Sequence, residues 1–209
     1  PVVSGNVSFY NQTKEVGIKP TPSIGGVGLI KNYDQMITMD FKEISNLVLI
    51  IGKTEGHLDQ SLFARSILDE KNGPPPEINL FNEKNNGETL LQLIKDNYVK
   101  SAHDISLGGI LTAVSKMCIK GNKGIEFNKP KYLMSEIEYL FSEDQGRYII
   151  EINPSDLEQV TKILEKNSVH FEELGKIIDK HLIINQKTKV TIDELKSYNT
   201  NWLSNYMSS

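Results

Sequence analysis

Four stretches of this chain carry side chains able to bind phosphate, hold a cation or attack a bond. The first is Pro1-Val2-Val3-Ser4-Gly5-Asn6-Val7-Ser8. Gly5 allows a phosphate close approach to the backbone, Asn6 offers a hard amide oxygen of the kind Mg2+ takes, and Ser8 adds a hydroxyl. The same residues would also make an ordinary strand and turn. The second stretch, His103-Asp104-Ile105-Ser106-Leu107-Gly108-Gly109, runs from a strand end into a helix start. A glycine-rich helix N-terminus presents free N–H groups that attract an anion. Capping is the simpler reading: Asp104 or Ser106 accepts those N–H bonds while His103 bonds to a neighbouring loop. The third, Ser142-Glu143-Asp144-Gln145-Gly146-Arg147, holds one of the chain's two arginines. Carboxylates, an amide and a guanidinium this close make either a polar ligand-binding turn or an internal Arg–carboxylate clamp, and spacing alone does not choose. The fourth is Cys118, the chain's single cysteine.

Cys118 falls on the apolar stripe Ile110, Ala113, Val114, Met117, Cys118 of a helical pattern. There a thiol acts as a small hydrophobe, because reactive cysteines need an electropositive, partly exposed setting. A lone cysteine also excludes an intramolecular disulfide, a thiolate zinc cluster and a CxxC redox pair. Two further motifs fail on spacing. Gly52-Lys53-Thr54 resembles the end of a phosphate-binding loop, but Leu47 stands where that loop requires its first glycine. Gly25-Gly26-Val27-Gly28 lacks the G-x-G-x-x-G spacing and a following helix.

The elements that must position these residues are legible from periodicity. Pro1–Tyr10 and Ile24–Ile30 are expected to be strands, joined by a polar connection that Pro20 and Pro22 stiffen. A domain boundary is expected near Lys31–Tyr33. Asn46–Gly52 is an aliphatic, β-branched run, the mark of a strand covered on both faces. Helices are expected over Leu58–Glu70, Thr89–Tyr98, Ile110–Ile119, Ser135–Phe141 and Pro154–Lys166, with a last one beginning at Asp193–Ser197. A short strand should end at His103, and further strands fall at Gly124–Asn128, Gly146–Ile152, Phe171–Ile178, His181–Ile184 and Lys189–Ile192. This alternation predicts an α/β layered domain.

Composition sets the outer bounds. The chain has 209 residues, of which 38% are hydrophobic and 24% charged, ordinary for a globular protein and too apolar for a disordered one. A net charge of −4 argues against dominant binding to a phosphate backbone. No apolar run reaches the length of a membrane span. With no disulfide potential, the expected compartment is the cytoplasm. The chain begins at Pro1 inside an expected strand, so it is expected to be a piece of a longer protein.

Four motifs together carry a resemblance. PVVSGNVSFYN at Pro1–Asn11, PTPSIGGVG at Pro20–Gly28, AHDISLGG at Ala102–Gly109 and LFSEDQGRY at Leu140–Tyr148 occur in the order and at the intervals of one family. The chain resembles the C-terminal part of the synthetase subunit, in its small form, of the phosphoribosylformylglycinamidine synthase family. The resemblance implies residues 1–32 as the C-terminal remnant and linker of the second ATP-binding-type domain, and residues 33–209 as a C-terminal α/β domain of the aminoimidazole-ribotide-synthetase type. It implies the reaction of formylglycinamide ribonucleotide, ATP and glutamine-derived ammonia to give formylglycinamidine ribonucleotide, ADP and phosphate, in purine biosynthesis.

The site residues it implies are Gly5 for ATP, Asn6 for Mg2+ and Ser8 for the substrate. The catalytic histidine is expected upstream, so the chain alone is expected to be inactive. The implied partners are a separate glutamine amidotransferase subunit and a small bridging subunit, with no nucleic acid and no membrane. Leu107 departs from the family's usual aspartate, and the Glu143-Asp144-Gln145 turn is taken as structural in this half of the pseudo-repeat. The alternatives are another ATP-dependent member of the aminoimidazole-ribotide-synthetase superfamily, against which the Gly-Asn-Val-Ser-x-Tyr-Asn segment argues, and a non-catalytic module that docks subunits.

Overall fold

The structure, a computed structural model, describes residues 1–6, 11–18, 21–128 and 134–208. It divides into two compact units, Pro1–Tyr33 and Asp34–Ser209. In the first, β1 (Gln12–Thr13) and β2 (Val16–Gly17) form a minimal antiparallel hairpin. Lys14 takes a positive φ of 55° in its turn. Among the described residues, neither of the expected strands on either side is formed. Pro1–Asn6 is irregular, Val7–Tyr10 lies outside the described residues, and Ile24–Ile30 has no regular structure, with Ile24, Val27 and Leu29 fully exposed. A strand is held by its neighbour's ladder, and no ladder pairs with Ile24–Ile30 among the described residues.

The second unit is built on a seven-stranded sheet. Its strands are β3 (Leu47–Ile51), β4 (Val99–Asp104), β5 (Gly124–Phe127), β6 (Tyr148–Ile152), β7 (Phe171–Ile178), β8 (His181–Ile184) and β9 (Thr188–Thr191). Their order across the sheet is β4-β6-β3-β7-β5-β8-β9. All neighbours run antiparallel except β5 and β8. β3 sits near the middle, which explains its unbroken aliphatic sequence. Val48 and Ile50 point into one core while Leu49 and Ile51 point into the other, as the period-two alternation of a strand requires.

Helices cover both faces. On the Val48 side pack α3 (Gly109–Gly121), α4 (Glu136–Phe141) and the start of α6 (Ile192–Ser208). On the Leu49 side pack α2 (Leu80–Lys95), through Leu90 and Leu93, and α5 (Leu157–Lys166), through Val160 and Leu164. The domain is therefore an α/β layered fold with helices on both faces of a mostly antiparallel sheet.

Two helices depart from their expected bounds. Over Leu58–Glu70 only α1 (Leu62–Ser66) forms, because Leu62 and Ile67 stay exposed and Ala64 is the one buried residue of the helix, leaving too little apolar surface to hold more turns. Conversely, α2 begins at Leu80 rather than Thr89: Asn79 caps it by accepting from the Asn82 N–H at 3.0 Å. It ends before Tyr98. The helix starting after Ser135 has a full capping box with Glu138, and Pro154–Asp156 forms a 3-10 turn ahead of α5.

Candidate functional site

The chemistry-bearing residues of the second unit meet where β4 ends, α3 begins and the turn from α4 to β6 crosses between them. Gly108 and Gly109 shape this junction. Gly109 has a φ of +67°, and a Cβ there would lie 2.6 Å from the Ser142 carbonyl oxygen and 2.7 Å from that of Leu140. Only glycine lets α3 start this close to the end of α4.

The cap of α3 differs from the expected one. Neither Asp104 nor Ser106 caps it; the Gly108 N–H donates to Glu143 Oε1 at 2.8 Å, and the same oxygen accepts from the Leu62 N–H at 2.7 Å. One carboxylate thus faces the first turns of α1 and α3, whose orphan N–H groups favour a negative charge. Asp104 instead pairs with its neighbour, its Oδ1 lying 3.0 Å from His103 Nδ1, and the buried His103 Nε2 finds no hydrogen-bond partner among the described residues, so His103 does not bond to a separate loop. Partial burial would raise the Asp104 pKa, but the charge of His103 and hydrogen bonds from Ser106 and His103 outweigh it and leave the carboxyl below its ordinary value. Both residues line an apolar cleft of about 460 Å³ with Ile37, Met39, Leu90 and Tyr148. Leu107 is exposed.

The Ser142–Arg147 turn is an internal clamp. Arg147 is buried, and each arm of its guanidinium is used: Nε donates to the Asp144 carbonyl at 3.1 Å, Nη1 to Thr54 Oγ1 at 3.1 Å and Nη2 to the Ser142 carbonyl at 2.8 Å. The Asp144 carboxylate lies 3.8 Å from Nη1. It accepts three successive backbone N–H groups, from Glu55 at 2.9 Å, Gly56 at 3.1 Å and His57 at 3.1 Å. Glu55, Gly56, His57 and Asp144 also form part of the wall of a polar cavity of about 780 Å³, whose other side is the start of α2. Of the two readings the sequence left open, the structure satisfies the clamp.

One functional-looking group escaped the sequence reading. Glu151 is fully buried in β6 and accepts from the Lys42 N–H (2.8 Å), Glu43 N–H (3.0 Å), Asn46 Nδ2 (2.8 Å) and Ser101 Oγ (2.8 Å). The one signal for it was a glutamate inside the apolar run Tyr148–Ile152. Cys118 is fully buried, and burial pushes its thiol up to about 12, so it packs as a core residue.

The residues expected to bind ATP and Mg2+ lie in the first unit. Gly5 and Asn6 are adjacent in an exposed, irregular segment, and nothing lies within 4 Å of where a Cβ on Gly5 would be. Ser8, the expected substrate ligand, lies outside the described residues. Among the described residues no group of three or more His, Cys, Asp or Glu side chains is placed to hold a metal ion. No described helix is long and apolar enough to cross a membrane.

Comparison with known proteins agrees with this architecture. Over 207 residues the chain is 70% identical to the phosphoribosylformylglycinamidine synthase subunit PurL of Pelagibacter ubique and 35% identical to that of Azorhizobium caulinodans, in both cases across 99% of this chain. The chain spans 28% of the length of each. Among solved structures, PurL of Thermotoga maritima complexed with FGAR superimposes with a TM-score of 0.65 at 20% identity, over 78% of this chain and 30% of that one, a likeness of fold. Residues 45–185, which include every strand of the sheet from β3 to β8, match the family described as AIR synthase related protein, C-terminal domain. The chain belongs to that family.

Proposed function

We propose that this chain is the C-terminal part of the ligase that converts formylglycinamide ribonucleotide, ATP and glutamine-derived ammonia to formylglycinamidine ribonucleotide, ADP and phosphate in purine biosynthesis. The observation that carries the reading is 70% identity, over 99% of this chain, to a relative named as a subunit of that synthase. Residues 1–32 are read as the end of an ATP-binding-type domain and 33–209 as the α/β domain that packs with the rest of the enzyme. Ammonia comes from a separate glutamine amidotransferase subunit, held by a small bridging subunit, and the enzyme works in the cytoplasm.

In this reading Gly5 lies against ATP, Asn6 supplies one oxygen to Mg2+ and Ser8 touches the substrate. Asn6 suits that task chemically: its amide oxygen is a hard donor, and the side chain is exposed. Mg2+ takes six oxygens, and no cluster of acidic side chains stands ready for it among the described residues. Asn6 would therefore be one ligand of a site completed by the remainder of the longer enzyme. When bound, the ion neutralises phosphate charge during phosphoryl transfer. The contribution of Asp34–Ser209 is shape: Glu143, Asp144 and Arg147 hold the loop after β3, their own turn and the starts of α1 and α3 in place.

A chimera tests the proposal. This chain replaces its matched 207-residue segment in the Pelagibacter ubique subunit. Ammonia-driven ADP release that requires formylglycinamide ribonucleotide is expected. ADP release indifferent to that substrate, in a folded chimera, overturns the reading.

A further inference from the structure

We propose that the loop following β3 is an anion-binding site whose occupant is built in: the Asp144 carboxylate sits where a small carboxylate from solution would otherwise bind. Three successive backbone N–H groups, those of Glu55, Gly56 and His57, converge on this one side chain at 2.9, 3.1 and 3.1 Å. Gly56 has a φ of +85°, the left-handed conformation that turns consecutive N–H groups toward a common point. Such concavities recur as binding sites for anions. Behind the carboxylate, Arg147 Nη1 lies 3.8 Å away and is buried, so the site carries a fixed positive charge as well as backbone dipoles.

The loop itself has no regular structure from Lys53 to Leu58. Without an anion, its three donors would face one another's dipoles with nothing to accept them, at a cost that falls on the folded state. Asp144 therefore acts as a latch that orders the loop. The site opens onto the cavity of about 780 Å³, so a substitute anion has a way in once the latch is removed. In the intact protein the route is closed twice over. Asp144 fills the site, and Asp59, Glu77, Glu83 and Glu138 on the cavity wall repel anions, while Lys53 on the same wall is paired with Glu55 at 2.8 Å.

The test uses the 209-residue chain and its Asp144→Ala variant, melted in sodium chloride and in sodium formate at equal ionic strength. Formate is expected to raise the midpoint of Asp144→Ala in a saturable way, by roughly 3–6 °C at tenfold excess over its Kd, and to leave the parent unchanged. Backbone exchange gives a second reading. The Glu55, Gly56 and His57 amides should be protected in the parent, unprotected in the variant in chloride, and protected again in formate. If Asp144→Ala is unfolded in chloride, the quantity read is the folded fraction recovered by formate. Equal responses of parent and variant, no recovery, or full amide protection in the variant without formate each overturn the proposal.

Discussion

Glu143 Oε1 stands 2.8 Å from the backbone nitrogen of Gly108 and 2.7 Å from that of Leu62, so a single oxygen caps two helices that are far apart in sequence. The backbone of the same residue donates to the His57 carbonyl at 3.1 Å. The dipeptide Glu143-Asp144 thereby ties together the loop after β3, the start of α1 and the start of α3.

Replacing Glu143 by Ala removes the acceptor of two N–H groups and is expected to cost about 1–3 kcal/mol in urea denaturation of the chain. Glu143→Gln keeps an oxygen but loses the charge that favours a helix N-terminus. It should cost less, about 0.5–1.5 kcal/mol, and its deficit should shrink as salt is added to the parent and variant alike. Equal stability of Glu143→Ala and the parent would show that water caps these helices as well as Glu143 does.

Glu151 makes a sharper case because it is fully buried and holds four donors. Ser101 stands opposite it in the β4–β6 ladder, and Lys42, Glu43 and Asn46 belong to the segment leading into β3. Glu151→Ala strands all four and is expected to lower stability by about 3 kcal/mol or more. Glu151→Gln turns an NH2 group toward donors at one of its two ends, and about 1–3 kcal/mol is expected from that mismatch alone. Denaturant midpoints at constant slope check both values.

Much of this architecture was legible in the sequence, for reasons that differ by element. β3 announced itself because a central strand must be apolar on both faces. α3 did so because Ile110, Ala113, Val114, Met117 and Cys118 recur at helical spacing and all are buried. Local pattern misled where neighbours decide: the Ile24–Ile30 run is apolar enough for a strand but finds no ladder among the described residues, and α1 stops after five residues because it buries one side chain. The clamp was half legible. The residues of Ser142–Arg147 were visible as a cluster, but their partners Thr54, Gly56 and Leu62 lie 81 to 93 residues away, and spacing cannot show such a contact.

Arg147 tests the clamp reading directly. Its guanidinium reaches Thr54, Ser142 and Asp144 from three nitrogens in one plane. A lysine ammonium has no such fork, so Arg147→Lys keeps the charge and loses the geometry. A loss of about 2–4 kcal/mol is expected for this conservative change. A ligand-binding arginine would behave otherwise: the chain would keep its stability on substitution by Lys, and that result would return the turn to the binding reading.

Cys118 is predicted to be chemically silent in the folded chain. Burial holds its thiol near 12, so almost no thiolate exists at neutral pH and no reagent can reach it. Labelling by an aromatic disulfide should be slow in water and should accelerate with denaturant along the global unfolding curve. Cys118→Ala should remain folded, with about 1 kcal/mol lost from packing. Fast labelling without denaturant would place the thiol outside the core.

Asn6 separates the proposed metal role from any structural one. It is exposed and lies outside the sheet domain, so Asn6→Ala should change the stability of the chain by no more than about 0.5 kcal/mol. In the Pelagibacter ubique chimera the same change should raise the Mg2+ concentration needed for half-maximal ADP release by about tenfold or more, since even outer partners of metal ligands carry effects of that size. Added Mg2+ should recover part of the lost rate, because the remaining oxygens of the site are untouched. Asn6→Asp supplies a contrasting reading: a carboxylate keeps a hard oxygen at that position, so the Mg2+ requirement should stay closer to the parent than in Asn6→Ala. If Asn6→Ala shows the parent's Mg2+ dependence, Asn6 is no ligand, and Gly5-Asn6 is no more than an exposed, irregular part of the first unit.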